Sequence, residues 1–183
     1  MSDNNVLLNK KICVYHGSTS IFDSIDVEKG KPFKDFGRGF YVTESKEHAI
    51  KLALRNKRIE KERFGKSCEA YVYTYELDMS KLSNFNIKKF NIANHEWLLF
   101  VISNRKARDR THNYDVVIGP TANDDTMVVI NAYLDALYGE IGGDKALNIL
   151  LDNIEADKLP GQIYFSRNEA ANTMIQKEQV EKV

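Results

Sequence analysis

The segment EAYVYTYEL, Glu69 to Leu77, alternates with a period of two, which commits this part of the chain to a strand. Ala70, Val72, Thr74 and Glu76 share one face, and Tyr71, Tyr73, Tyr75 and Leu77 share the other. A row of three tyrosines and a leucine is too large to leave in water, so it must pack a sheet face against something. Around this strand the helical and β-prone segments are interspersed, with no internal repeat and no regular alternation of strand and helix. That order predicts the α+β class.

The other elements follow from local signals. Ile12 to Tyr15 is a short β-prone run, after which GSTS turns the chain. FGRGFYVT, Phe36 to Thr43, reads as a glycine-rich turn leading into a second strand. Thr43 or Ser45 caps a helix over Glu47 to Arg63. NHEWLLFVISNR has the look of a buried helix, and YDVVIG that of an interior strand ended by Gly119 and Pro120. Helices are expected at about Thr126 to Tyr138 and Asp144 to Glu155, parted by GEIGG, then a strand in LPGQIYFS. Ser166 to Glu169, SRNE, has the capping-box spacing for a last helix.

At 183 residues, the chain is expected to form one domain over 1–183, with its core at about 12–175. The 26 basic and 26 acidic residues cancel, so net charge gives no pull toward nucleic acid or membrane. Charge is uneven locally. The stretch Lys46 to Lys66 is basic and the stretch from Pro120 to Pro160 acidic, each either a solvated face or, for the basic one, a surface for an anionic target. Cys13 and Cys68 make no disulfide framework and fit a reducing compartment. The polar MSDNN start argues against a signal peptide, and WLLFVI is too short to span a bilayer. A cytoplasmic protein without membrane partners is the expectation.

Familiar sites fail on inspection. GKS at Gly65 to Ser67 lacks the upstream glycine of a phosphate-binding loop, because Glu60 stands there. GRGFYV has Val42 at the third glycine position of a dinucleotide fingerprint. His16, His48, His95 and His112 show no paired metal-ligand spacing with each other or with cysteine, so no metal is expected.

What remains is an ordered set: VYHGS, GRGFYVT and GQIYF. Together these fragments resemble the nucleotide-binding core of ADP-ribosyltransferases of the diphtheria-toxin and poly(ADP-ribose) polymerase type. In that family a strand ending in His-Gly-Ser/Thr, a Gly-x-Gly-x-Tyr strand and a late strand opened by glutamate form a His-Tyr-Glu triad. His16, Tyr41 and Gln162 fall on those positions, with glutamine in place of glutamate. DFGRGFYVT, the Trp-containing helix, YDVVIGPTANDD and GQIYF also make the chain similar to a bacterial branch of suspected toxins, often encoded beside a small neutralising protein.

The resemblance implies a split antiparallel β-sheet core with flanking helices, and NAD as substrate. It implies catalytic roles for His16, Tyr41 and Gln162, and NAD contacts from His16, Gly17, Ser18, Arg38, Gly39 and Tyr41. The chemistry of NAD suits these residue types. His16 can hydrogen-bond a ribose hydroxyl, Gly17 lets the backbone approach the carboxamide, and Tyr41 offers a ring to the nicotinamide cation. Ser18 holds the carboxamide or ties the turn. Arg38 reaches the pyrophosphate or is a solvated turn residue. Asp124 and Asp125 either complement the N-terminus of a helix or bring to the cleft the charge that Gln162 lacks.

The expected activity is mono-ADP-ribosyl transfer from NAD to a protein or nucleic-acid acceptor by a bacterial toxin with a neutralising antitoxin. Chain extension is not expected, since in the family it goes with glutamate at the third position. The alternatives are NAD hydrolysis, or a catalytically weak module that binds NAD or ADP-ribose.

Overall fold

The computed structural model describes residues 11–122, 124–154 and 159–183, apart from the side chains of Asp124 and Asp125. The chain is α+β, with a three-stranded and a four-stranded sheet. The first has the order β1-β3-β7, from β1 (Lys11–Ser18), β3 (Tyr71–Asp78) and β7 (Ile175–Lys182), all antiparallel. The second has the order β2-β6-β5-β4, from β2 (Phe40–Val42), β6 (Gly161–Phe165), β5 (Val116–Pro120) and β4 (Ile87–Lys89). β4 runs parallel to β5, so the expected all-antiparallel core is in fact mixed. A three-residue strand reading IKK carries no β signal of its own, and pairing with β5 supplies it.

The tyrosine row of β3 does what its alternation requires. Tyr73, Tyr75 and Leu77 are buried in a core shared with Val14 of β1, Phe40 and Val42 of β2, and Ile163 and Phe165 of β6. This core fills the space between the two sheets. On the outer face of β1 and β3 lies α1 (Lys46–Phe64), seated through Ala49 and Ala53. Its N-cap is Ser45, whose Oγ accepts the His48 N–H at 3.1 Å. Its C-cap is Gly65 in the left-handed region, φ 63°, which accounts for the glycine of the GKS motif.

The second core lies on the other face of the four-stranded sheet. There α2 (His95–Lys106) buries Trp97, Leu98 and Val101 against Val117 and Tyr164, and α3 (Asp124–Leu134) and α4 (Asp144–Asn153) close it with Ile130, Tyr133, Leu147 and Leu150.

Three local expectations change. β1 continues through His16, Gly17 and Ser18, so the turn begins later and His16 lies inside a strand. The last helix, α5 (Asn168–Met174), starts at Arg167 without a side-chain cap, because Ser166 is buried and its N–H reaches the Asp115 carbonyl at 2.9 Å. The capping-box spacing was therefore misleading. β7 extends the ordered chain beyond 175 as an edge strand on β3. Its mixed sequence, IQKEQVEK, is that of an exposed edge rather than of a core strand. Among the described residues, no helix is long and apolar enough to cross a membrane.

Candidate functional site

Among the described residues, the two sheets meet at a single bridge and then part. Tyr15 and Thr43 exchange backbone hydrogen bonds, Tyr15 N–H to Thr43 O at 2.7 Å and Thr43 N–H to Tyr15 O at 2.9 Å. One residue on, the His16 ring takes the place of a further rung, with Nδ1 2.7 Å from the Tyr41 carbonyl. A carbonyl only accepts, so Nδ1 carries the proton and Nε2 of the neutral ring is an acceptor. The ring stacks on Phe40 at 4.4 Å and meets the edges of Phe22 and Tyr73. Burial lowers its pKa, outweighing the Tyr41 carbonyl, and keeps the imidazole neutral at pH 7.

Gly17 sits at the same fork. Alternate residues of an antiparallel strand direct their N–H and C=O to alternate edges. Tyr15 points at Thr43, so Gly17, two residues on, points to the same edge after β2 has diverged. No backbone bond crosses that edge to Gly17 among the described residues. A second reason for glycine lies on the other side. A Cβ there would stand 2.2 Å from the Ala49 carbonyl oxygen, so α1 approaches β1 this closely only over glycine. Ser18 ties the turn: its Oγ donates to Ser20 O at 2.9 Å and accepts the Ser20 N–H at 3.1 Å.

Tyr41 presents its ring to the opposite face of its sheet, beside Tyr164 (5.0 Å) and Phe36 (6.4 Å). Its hydroxyl donates to Gly37 O at 2.6 Å and accepts the Phe36 N–H at 3.1 Å. Burial, and then the nearby Asp35 carboxylate, hold its pKa well above 10. His16 and Tyr41 are thus joined through the Tyr41 carbonyl and not ring to ring.

The glycines of GRG have steric causes. Gly37 has φ +89°, and a Cβ on Gly39 would lie 2.3 Å from the Tyr164 ring. Arg38 between them is half-buried, and its Nε–H has no hydrogen-bond partner among the described residues. Its carbonyl accepts the Tyr164 hydroxyl at 2.7 Å.

Gln162 is nearly buried, 7% exposed, at the start of β6. Thr43 positions this end of the strand by donating Oγ1–H to Gly161 O at 2.9 Å. The Gln162 amide donates to Asp35 Oδ2 at 2.8 Å and to Pro120 O at 3.2 Å. Pro120 O also accepts the Trp97 indole N–H at 3.0 Å. Asp35, itself buried, takes Arg105 Nε and Nη2 on Oδ1 at 2.6 and 2.5 Å and the Ala122 N–H on Oδ2 at 2.9 Å. Asp35 immediately precedes Phe36, whose N–H meets the Tyr41 hydroxyl, so one turn connects Gln162 with Tyr41.

The sequence left open whether Asp124 or Asp125 caps a helix or supplies the charge that Gln162 lacks, and both side chains lie outside the described residues. The carboxylate found beside Gln162 is Asp35. Its position next to the glycine-rich turn was its only signal, since its partner Arg105 is 70 residues away in sequence.

Beside Gln162 opens a cleft of about 320 Å³. Gly161, Gln162 and Ile163 of β6, Ile118 to Pro120 of β5, Phe90 and Asn91 form most of its wall, with Glu44 and Lys89 as its charged groups.

A comparison with curated proteins gave no match, and a comparison with solved structures gave none either. Residues 12–175 match the family model described as protein of unknown function (DUF3990), a span that takes in His16, the GRGFY turn, the Asp35–Arg105 pair and Gln162. The chain belongs to the DUF3990 family.

Proposed function

We propose that this protein is an NAD-dependent mono-ADP-ribosyltransferase, with an ADP-ribosyltransferase-like split-sheet core. The observation that carries the reading is the fork between β1 and β2. It leaves Gly17 with an N–H and a C=O side by side on an open edge, next to a neutral His16 held by the Tyr41 carbonyl. A carboxamide needs one donor and one acceptor in that spacing, and nicotinamide carries a carboxamide. His16 Nε2 accepts a ribose hydroxyl, and Arg38 Nε–H is a donor for a pyrophosphate oxygen. The Tyr41 ring flanks the nicotinamide. Gln162 accepts the hydroxyl of the nicotinamide ribose.

In the reaction the nicotinamide–ribose bond breaks, its electron pair leaves with nicotinamide, and an oxocarbenium-like ribose is captured by the acceptor nucleophile, whose proton departs. A protein or nucleic-acid acceptor, a toxin role and a neutralising antitoxin partner rest on the resemblance of the motifs alone. The neutral amide at the third position, already engaged with Asp35 and Pro120, favours a second reading in which NAD or ADP-ribose is bound with little turnover.

The test is calorimetry with NAD, followed by incubation with labelled NAD and host-cell lysate. Binding, nicotinamide release and label removable by protease or by nuclease are expected. Release without labelling would mean hydrolysis, binding without release would mean the weak module, and absence of NAD binding would overturn the assignment.

A further inference from the structure

Gln162 lies in a setting that treats glutamine and glutamate differently. Both of its hydrogen-bond partners, Asp35 Oδ2 and Pro120 O, are acceptors, so the amide nitrogen must face them. The carbonyl oxygen is what this side chain has left to present to the cleft it lines. Asp35 is in turn fixed by Arg105 and by the Ala122 N–H. A glutamate at 162 would set one carboxylate oxygen about where the amide nitrogen is, against the buried Asp35 carboxylate. Two carboxylates so placed cannot both ionise without a large penalty.

We propose that the buried Asp35–Arg105 pair selects glutamine over glutamate at position 162 and turns its carbonyl oxygen into the cleft as the acceptor for a ligand hydroxyl. Asp35 is a positioning residue: it acts through Gln162. That the hydroxyl belongs to the nicotinamide ribose rests on the proposed function; the charge rule for position 162 does not.

Among the described residues, the charged and titratable groups near Asp35 are Arg105 on α2, Lys34 beside it, Tyr41 on β2 and His48 on α1. Glu44 and Lys89 line the same cleft as Gln162. None of these, when the chain is wild type, sets a second carboxylate within bonding distance of Asp35. In Gln162→Glu the new carboxyl would have a folded pKa raised above its unfolded value of about 4.3. The penalty is therefore absent below the unfolded pKa, grows as pH rises above it, and levels off once pH passes the folded pKa.

The experiment uses the full chain as wild type, Gln162→Glu, Asp35→Asn and the double variant. Thermal unfolding is followed from pH 4 to 8. Gln162→Glu should melt close to wild type at pH 4 and fall progressively behind above it, and adding Asp35→Asn should narrow the gap. A gap that does not change with pH, or no gap at all, overturns the charge rule. If Asp35→Asn alone does not fold, the pH series of Gln162→Glu decides by itself.

In parallel, nicotinamide release from NAD is measured for wild type and Asp35→Asn. A misdirected Gln162 should lower kcat roughly 10- to 100-fold with KM within about twofold. Unchanged kcat overturns the positioning role. Wild type that shows no NAD binding, with the pH series as expected, removes the ribose as the ligand and with it the proposed function, while the charge rule stands.

Discussion

His16 stands one residue beyond the Tyr15–Thr43 bridge and spans the gap that β1 and β2 open there, with its Nδ1–H on the Tyr41 carbonyl at 2.7 Å. The imidazole is thereby a structural wedge as well as a candidate ligand group. His16→Ala leaves the Tyr41 carbonyl without its donor and opens a void among Phe22, Phe40 and Tyr73. Chemical denaturation should register a loss of about 2–4 kcal/mol. His16→Asn retains an N–H donor and should recover part of this, while losing the NAD-induced rise in melting temperature. Equal stability of His16→Ala and wild type would show that the wedge holds nothing.

Gly17 and Gly161 make a matched pair of substitutions. A Cβ at Gly17 meets the Ala49 carbonyl at 2.2 Å and the Ala53 nitrogen at 3.0 Å, and both are backbone atoms of α1 that yield only if the helix moves. At Gly161, on the cleft wall, nothing stands within 4 Å of the added carbon. Gly17→Ala is expected to destabilise by about 1–3 kcal/mol or more, and Gly161→Ala by less than about 0.5 kcal/mol. Urea unfolding of the two variants checks the contrast, and a stable Gly17→Ala would contradict the packing.

Much of the fold was legible because its signals are local. The alternation of EAYVYTYEL, the cap at Ser45 and the apolar face around Trp97 each act within a few residues. β4 and β7 were not legible. Their sequences, IKK and IQKEQVEK, become strands through partners 29 and about 100 residues away in the chain. For the candidate site, His16, Tyr41 and Gln162 were singled out by ordered motifs. The Asp35–Arg105 pair could not be, since an aspartate in a glycine-rich turn and an arginine near a helix C-terminus each have an ordinary surface explanation, and only folding brings them together. The motif glycines were read as room for a ligand, and at Gly17 and Gly39 the folded chain adds a closer claim on the same space, from Ala49 and Tyr164.

The titration of His16 follows from its enclosure. Burial lowers its folded pKa below the ordinary value of about 6.5, so the folded state binds the proton less readily than the unfolded chain. Stability on this account is unaffected above about pH 6.5 and declines as pH falls below it. His48 and His112 are shifted in the same direction, also chiefly by burial, and add to the decline. Imidazole resonances in NMR should show the His16 ring neutral at pH 6.5 with the proton on Nδ1. A ring that titrates at or above 6.5 would refute the dominance of burial, and a proton on Nε2 alone would refute the hydrogen bond to Tyr41.

Tyr41 separates ring from hydroxyl. Tyr41→Phe keeps the ring contacts with Tyr164 and Phe36 but removes the bonds to Gly37 O and the Phe36 N–H, and should cost about 1–3 kcal/mol. Because the proposed nicotinamide contact is with the ring, Tyr41→Phe should still respond to NAD by thermal shift, whereas Tyr41→Leu should not. A full response by Tyr41→Leu would take the ring out of the site.

The basic face of α1 offers the last test, of the acceptor. Lys46, Lys51 and Lys57 are tied to Glu181, Glu47 and Glu69 at 2.6 to 2.7 Å, which removes much of the apparent charge excess. Arg58, Lys61 and Arg63 are exposed and make no ion pair among the described residues, so a triple reversal to glutamate there should change stability by no more than about 1 kcal/mol. The proposed NAD site, on the open edge of β1, should be untouched. If the acceptor is a nucleic acid guided by these three side chains, wild-type labelling should fall steeply between 50 and 200 mM salt, and the triple variant should lose both the labelling and most of its salt dependence, since neutralised phosphates release counterions. Labelling by the variant at the wild-type level and with the wild-type salt dependence would leave this face without a part in acceptor binding.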